Sequence, residues 1–183
     1  MSTAAFRIAD VADVEALVAL VERAYRGDSS RDGWCTEADL IDGQRVDAEM
    51  MRASISDPDS MVLVAEDDVS ILACCELRRV DSTTATLGMF AVDPLRQAGG
   101  VGRSVLSEAE VRVADRWGVQ RIEMSVIDVR ASLIAWYERR GYARTGEHRP
   151  FPYGDDRFGA PRVEGLRFAV LAKRIGPAAD AAS

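Results

Sequence analysis

The chain has 183 residues, of which 48% are hydrophobic and 29% are charged, and its formal net charge is −7. These values are typical of a globular protein with a full hydrophobic core, and the acidic balance argues against nucleic acid as a partner. Three cysteines, a single histidine and no C-x-x-C pair predict neither a disulfide framework nor a metal site.

Targeting signals are not evident in the sequence. The N-terminus has no basic region followed by an apolar run, and no apolar stretch approaches the ~18 residues of a membrane span. The sequence therefore predicts a soluble protein of the reducing cytoplasm with no membrane partner.

The first half of the chain predicts a strand, two helices and a strand hairpin. A short strand at residues 6–8 is followed by Asp10, the expected N-cap of an amphipathic helix. A second helix is expected at residues 46–55, ahead of Asp57-Pro58. The strand-like residues 61–65 and 71–77 flank Asp67-Asp68, which indicates a hairpin.

The second half alternates strands and helices. The expected elements are a strand at 84–92, a helix at 101–117 capped by Gly118, a strand at 121–127, a short helix ending at Gly141, and strands at 142–147 and 166–171. A Pro- and Gly-rich loop at 148–165 lies between the last two strands. We expect one domain at residues 1–175 and a disordered small-residue tail at 176–183.

Residues 87–103 form the most informative segment: a strand stopped by proline, a glycine-rich turn and the start of a helix. Backbone N–H groups at such a helix N-terminus favour a phosphate group. No Lys-Ser or Lys-Thr follows the glycines, which excludes a P-loop, and Val105 occupies the third glycine position of a dinucleotide fingerprint. Gln97, Gly100 and Gly102 fit the pattern Q/R-x-x-G-x-G/A. An ordinary strand-to-helix turn is the alternative.

A second motif lies in the short helix near residue 137. Tyr137 precedes the pair Gly141-Tyr142 by four residues. Together the two segments resemble the GNAT superfamily of acyl-CoA-dependent N-acetyltransferases, and the resemblance extends over residues 6–173. It implies a mixed α/β fold with a mostly antiparallel central sheet, a splayed parallel strand pair and flanking helices.

The resemblance also implies the coenzyme site. Acetyl-CoA would be the co-substrate, with its pyrophosphate on the amides of the glycine-rich turn and its pantetheine arm bonded to the main chain of the preceding strand. Arg103 is either a phosphate ligand or a solvated arginine. The predicted coenzyme-binding residues are Phe90, Ala91, Val92, Gln97, Ala98, Gly99, Gly100, Val101, Gly102 and Arg103.

Tyr137 is the predicted general acid, since a phenol in this position of the family commonly protonates the leaving thiolate. The alternative is an aromatic residue that packs on the sheet. Two residues depart from the family pattern: Arg130 stands in place of the usual asparagine, and Leu133 in place of a small residue.

The general base is poorly marked. Glu123 is predicted ahead of Glu37, with Glu76 and His148 as further candidates. Gly88 offers no carboxylate where some relatives carry one.

These features predict direct acetyl transfer from acetyl-CoA to a primary amine, with a small molecule favoured over a peptide. The alternative is a non-catalytic module that binds or senses acyl-CoA. Residues 26–55 and 148–165 are expected to select the acceptor, and Asp155-Asp156 suggests affinity for a positive amine. The family resemblance is compatible with a homodimer, although no segment marks an interface.

Overall fold

The structure is a computed structural model that describes residues 4–26, 36–155, 157 and 159–176, without the side chains of residues 96–98. The predicted disordered tail therefore lies outside the described residues from Pro177 onwards, as do Cys35 and Asp156.

The described residues form four α-helices, nine strands and two 3-10 turns. The helices are Val14–Tyr25 (α1), Ala48–Ser56 (α2), Val101–Trp117 (α3) and Ala131–Glu138 (α4). The strands are Ala5–Ile8 (β1), Ile41–Asp42 (β2), Ser60–Glu66 (β3), Ile71–Arg79 (β4), Thr84–Val92 (β5), Arg121–Ile127 (β6), Ala143–Pro150 (β7), Ala160–Pro161 (β8) and Arg167–Arg174 (β9). The 3-10 turns are Val11–Asp13 and Pro94–Gly99.

Seven strands form one sheet in the order β1-β3-β4-β5-β6-β9-β7. Every neighbouring pair is antiparallel except β5 and β6, which are parallel and joined by the crossover helix α3. The predicted fold class is confirmed, including the hairpin of β3 and β4.

Local capping explains where the helices start and stop. Asp10 accepts a hydrogen bond from the N–H of Ala12 at 2.7 Å and forms a capping box with Asp13, so its predicted capping role is confirmed. The capped turn is a 3-10 turn that leads into α1. Gly118 ends α3 at a φ of +67°, a conformation that glycine adopts without steric cost.

The core lies on both faces of the sheet. Helices α3 and α4 pack on one face, and α1 and α2 pack on the other. The adjacent residues Cys74 and Cys75 are fully buried on opposite faces, as expected for neighbours on a strand. Burial raises the pKa of the Cys75 thiol well above its ordinary value, which keeps this cysteine uncharged and unreactive.

The parallel strands separate halfway along their length. The pairing of β5 with β6 ends at Leu87 and Met124, although β6 remains paired with β9 as far as Ile127. A register shift in the β4–β5 ladder adjoins this point, where Met89 has a φ of +46°. This unusual backbone conformation costs of order 1–3 kcal/mol and marks a candidate functional position. A gap therefore opens between residues 88–92 and 125–127.

A second, very small sheet joins distant parts of the chain. Strand β2 pairs antiparallel with β8 through two residue pairs, Ile41 with Pro161 and Asp42 with Ala160. The N–H of Arg162 also donates to the carbonyl of Leu40 at 2.8 Å. The two segments expected to select the acceptor are thus hydrogen-bonded to each other.

Among the described helices, none is both long and apolar enough to cross a lipid bilayer.

Candidate active site

The gap between the splayed strands opens into a cavity of about 460 Å³. Its floor includes Leu87 and Gly88 of β5 and Ser125 of β6, and its walls come from both acceptor-side segments. One wall is apolar and is formed by Ile41, Ile127, Phe151 and Phe168. The other carries four arginines and two glutamates: Arg26, Arg45, Arg78, Arg149, Glu37 and Glu76.

A smaller cavity of about 90 Å³ shares part of this lining and continues toward α4. Phe90 and Tyr137 line only the smaller cavity, whereas Arg45, Glu37 and Gly88 line both. The residues common to the two cavities define a junction. A donor entering beside Phe90 and an acceptor held in the larger cavity would meet there.

The predicted phosphate cradle lies at the start of α3. Gly100 is the N-terminal flanking residue, with a φ of +75°, and no side chain caps this end of the helix. The first amides of an α-helix have no partner within the helix, so they are available to an anion. Gly102 is buried in the first turn and Arg103 is exposed. These residues fit the pyrophosphate of a coenzyme.

The other predicted coenzyme-binding residues precede this cradle in the chain. Ala91 and Val92 are fully buried in β5 and line neither cavity. The backbone of Gln97, Ala98 and Gly99 belongs to the 3-10 turn that leads from β5 to α3. The chain therefore runs directly from the splayed strand to the uncapped helix.

Arginines beyond the predicted set add positive charge near the cradle. The Arg140 guanidinium lies 3.5 Å from the centre of the Trp136 ring, and its Nη1 donates to the Trp136 carbonyl at 2.7 Å. Its buried Nε has no hydrogen-bond partner in the described part of the chain. Burial lowers the pKa of Arg140, and the positive charges of Arg139 and Arg103 lower it further. The sequence reading missed this contribution, although Arg139-Arg140 directly follows the α4 motif.

Tyr137 is a buried residue of α4 that lies beside β5. Its side chain is 4% exposed, and its ring centre is 6.5 Å from that of Phe90. The ring of Tyr142 is 5.8 Å away, but the Tyr142 hydroxyl donates to Glu110 at 3.0 Å. Burial and the Glu110 charge raise the pKa of Tyr142 far above its ordinary value, so this phenol stays protonated. Of the two tyrosines, only Tyr137 lines the cleft.

Tyr25 connects α1 to β5, the strand predicted to bind the pantetheine arm of the donor, which we call the donor strand. Its hydroxyl donates to the carbonyl of Phe90 at 2.8 Å in a buried hydrogen bond. The same Phe90 main chain was predicted to bind pantetheine, so one acceptor position of that carbonyl is already used. The Arg45 guanidinium lies over the Tyr25 ring, 5.3 Å from its centre.

Glu37 lies between two arginines. Its Oε2 accepts from Nη1 of Arg26 at 2.9 Å, and its Oε1 is 3.6 Å from Nη1 of Arg130. Nε of Arg26 donates to the carbonyl of Gly43 at 3.0 Å. Both oxygens of Glu37 thus face guanidinium groups.

Glu76 is the acidic side chain whose placement matches the missing carboxylate at position 88. It pairs with Gly88 in the β4–β5 register, and a Cβ on Gly88 would lie 3.9 Å from Oε2 of Glu76. Oε1 accepts from Arg78 at 3.1 Å and from Ser60 at 3.4 Å. Within the described residues, Oε2 has no hydrogen-bond donor. The neighbouring strand therefore supplies a carboxylate at the space that the glycine leaves empty.

Glu123 lines neither cavity. One of its oxygens accepts from Arg121 at 2.8 Å, and the other accepts from Arg149 at 3.2 Å. Arg149 itself lines the larger cavity and also donates to Ser125 at 3.3 Å. In this arrangement Glu123 orients an arginine of the site, and its role as a base stays a prediction.

Two further candidates are placed away from the cleft. His148 is exposed on the edge strand β7. Asp155 forms an ion pair with Arg157 at 2.5 Å and does not line the cavity. Across the described ranges, no group of three or more His, Cys, Asp or Glu side chains could hold a metal ion.

Known proteins share the fold over most of the chain. The ribosomal-protein-S18-alanine N-acetyltransferase of Escherichia coli has a TM-score of 0.69 at 20% identity, with 99% of each chain covered. The yncA protein of Salmonella typhimurium, solved with its cofactor acetyl-CoA, has a TM-score of 0.69 at 20% identity, with 97% of each chain covered. The PaiA N-acetyltransferase of Thermoplasma acidophilum, solved in complex with coenzyme A, has a TM-score of 0.65 at 17% identity, with 94% and 99% covered.

Sequence comparison gives shorter but more similar matches. The chain is 32% identical to a mycothiol acetyltransferase of Beutenbergia cavernae over 96 residues, which are 52% of this chain and 32% of that protein. A mycothiol acetyltransferase of Salinispora arenicola is 32% identical over 60 residues, 33% of this chain and 20% of that protein. The chain thus spans about a third or less of these relatives.

The family model of the acetyltransferase (GNAT) family matches residues 18–142, more than half of the sequence. This range includes the splayed strands, the cradle at α3 and the Tyr137 helix. The resemblance inferred from the two motifs is confirmed, and the chain belongs to the acetyltransferase (GNAT) family.

Proposed function

We propose that the protein transfers an acetyl group from acetyl-CoA to the primary amine of a small molecule by direct attack. The observation that carries this proposal is the junction, where a donor-side cavity lined by Tyr137 meets a larger cavity between the splayed strands. A cavity of about 460 Å³ is of the size that small-molecule sites have. The relatives named mycothiol acetyltransferase also support a small acceptor.

The chain's own residues fit acetyl-CoA as the donor. The uncapped first turn of α3 and Gly100 would hold the pyrophosphate, with positive charge from Arg103 and Arg140 nearby. The pairing of β5 with β6 ends at Leu87, and the pantetheine arm would bind along β5 beyond that point. When bound, the donor supplies the activated acetyl thioester.

Tyr137 would act as the general acid. It is the tyrosine of α4 that lines the donor-side cavity, and its ring packs against those of Phe90 and Trp136. A phenol at this place can give its proton to the departing sulfur.

Glu76 would act as the general base in place of the missing carboxylate at position 88. Its Oε2 is directed toward Gly88 at the junction and keeps a free acceptor position among the described residues. It could take the amine proton directly or through one water molecule. Glu123, the carboxylate favoured by the sequence, would instead hold Arg149 in place.

The test is a thiol-release assay with acetyl-CoA and a library of amines, applied to matched variants. Tyr137→Phe should lower kcat by about 10²- to 10⁴-fold, the usual contribution of general acid–base catalysis. Tyr142→Phe is the matched control, because it removes a neighbouring buried hydroxyl that donates to Glu110. Turnover by Tyr137→Phe equal to that of the control would refute the assignment of the acid.

The base is tested in the same assay with three carboxylate variants. Glu76→Gln should lower kcat, whereas Glu123→Gln should mainly raise KM. Glu108→Gln, which loses an ion pair with Arg112 on α3, is the control. A larger fall in kcat for Glu123→Gln than for Glu76→Gln would restore Glu123 as the base. Thermal stabilisation by acetyl-CoA without turnover of any amine would instead support the acyl-CoA-binding module.

A further inference from the structure

The charge of the larger cavity differs from that of the whole protein. The chain carries a net charge of −7, yet four arginines and two glutamates line this cavity. Arg78 is balanced by Asp57 and Glu76, and Arg149 is balanced by Glu123 and Glu147. Arg26 is paired with Glu37, which also faces Arg130. Among the arginines of the cavity, the positive charge that remains to be explained is that of Arg45.

Arg45 lines both cavities and therefore lies at the junction. Its guanidinium is half-buried over the Tyr25 ring and, within the described residues, forms neither an ion pair nor a side-chain hydrogen bond. The backbone is fixed as well, because Glu22 accepts hydrogen bonds from the N–H groups of Arg45 and Val46. Five N–H donors are therefore held at the place where the two cavities meet.

The neighbouring carboxylate does not neutralise Arg45. Glu37 lines the same junction, but its two oxygens face Arg26 and Arg130. Arg26 is 7% exposed, and its Nη2 is buried without a hydrogen-bond partner in the described part of the chain. Arg26 and Arg45 thus line the larger cavity together with Glu37, whose oxygens already face Arg26 and Arg130. Buried positive charge of this kind is stabilised when an anion binds beside it.

We propose that the acceptor is an amine with an anionic group on the adjacent carbon and an apolar side chain, and that Arg45 binds the anion. This inference rests on the proposed acetyl transfer. The anion must lie close to the amine because Arg45 lines the junction itself. Glu76, beside Gly88, faces the amine, and the wall of Ile41, Phe151 and Phe168 takes the side chain. A carboxylate or a phosphonate would satisfy the same guanidinium.

Binding is tested first, without catalysis. Calorimetric titration of the CoA-saturated protein would compare the product pairs N-acetyl-leucine with N-acetyl-leucinamide, and N-acetyl-phenylalanine with its amide. We expect the carboxylate of at least one pair to bind about 10- to 100-fold more tightly, as for a charge-assisted hydrogen bond. Equal binding of acid and amide, or no binding of either, would overturn the proposal.

The role of Arg45 is tested with Arg45→Met and the matched control Arg52→Met. Arg52 is an exposed arginine on α2 that pairs with Glu15 at 3.5 Å and lines neither cavity. Arg45→Met should abolish the preference for the acid, while acetyl-CoA still raises the melting temperature as in the wild type. A preference that survives in Arg45→Met, or a weakened binding of acetyl-CoA, would refute the assignment.

Turnover then separates the possible acceptors. Leucine and its aminophosphonate analogue should both be acetylated in preference to leucinamide, 3-methylbutylamine and β-homoleucine. The ratio of kcat/KM for leucine to kcat/KM for the aminophosphonate shows which anion is preferred. A preference for leucinamide would indicate a peptide N-terminus and refute the proposal. If the product with a free carboxylate binds through Arg45 but no amine is acetylated, the proposed acetyl transfer is refuted while the proposed anion site is supported.

Discussion

The buried hydrogen bond between Tyr25 and Phe90 connects α1, the donor strand and the Arg45 guanidinium. Tyr25→Phe removes only the hydroxyl and leaves the ring on which Arg45 lies. The lost bond is 2.8 Å long, and both residues are less than 10% exposed. The Phe90 carbonyl therefore loses a donor at a largely buried position beside the smaller cavity.

The expected cost follows from that burial. Leaving a buried polar group without its partner costs about 1–3 kcal/mol in the free energy of unfolding. With a urea slope of about 2 kcal/mol per molar, the midpoint of unfolding should fall by about 0.5–1.5 M. The preference for an anionic acceptor should persist in Tyr25→Phe and disappear in Tyr25→Leu, which also removes the ring beneath Arg45.

Equilibrium unfolding in urea, followed by tryptophan fluorescence, measures this change. Tyr153→Phe is the control, because its hydroxyl also forms hydrogen bonds, with Val163 and Leu166, but its side chain is half exposed. Water can replace those bonds, so the control should lose less than about 1 kcal/mol. Equal shifts in the two midpoints would refute the claim that the Tyr25 hydroxyl stabilises the donor strand.

Three further outcomes are expected. Ellman's reagent should label at most one of the 3 cysteines in the native chain, because the two on β4 are fully buried. All three should be labelled in denaturant. Rapid labelling of two cysteines in the native chain would contradict the burial of Cys74 and Cys75. The hydrogen bond from Arg7 lowers the pKa of Asp13, so its stabilisation is complete above the ordinary carboxyl pKa and is lost as the pH falls through the lowered value. Asp13→Asn should therefore cost about 0.5–1 kcal/mol at pH 7 and little at pH 2, measured by urea unfolding, and a cost independent of pH would refute this. Gly159→Ala should lower kcat/KM for the acceptor at least about tenfold, while acetyl-CoA still stabilises the protein. The reason is that Gly159 has a φ of +83° and that a Cβ there would overlap the carbonyl oxygen of Asp42. Unchanged turnover would show that β2 and β8 do not shape the pocket.

The elements with local signals were predictable from the sequence. Asp10 marked the first capped turn, Gly118 marked the end of α3, and the alternation of strands and helices indicated the mixed sheet. The predicted ends of the strands agreed less well with the structure where pairing with a neighbouring strand extends a strand. The loop expected from residue 148 begins later, because β7 continues to Pro150 along β9.

The polar wall of the cavity could not be derived in the same way. Glu76 was only one of several candidate carboxylates, because its position opposite Gly88 depends on the β4–β5 register and on the irregularity near Met89. A charged residue inside an otherwise apolar strand was the signal that could have ranked it higher. Arg45 carried no signal at all. Its place beside Tyr25 depends on how the chain returns to α1 after residues that lie outside the described structure.

The pairing of β2 with β8 has a consequence for engineering. These strands bond to each other and not to the seven-stranded sheet, and they belong to the two segments that line the larger cavity. A graft of either segment alone from another acetyltransferase would break this ladder, whereas a graft of both together would preserve it. Acceptor specificity should therefore be transplantable as a two-segment unit, with the α3 cradle and its donor left in place.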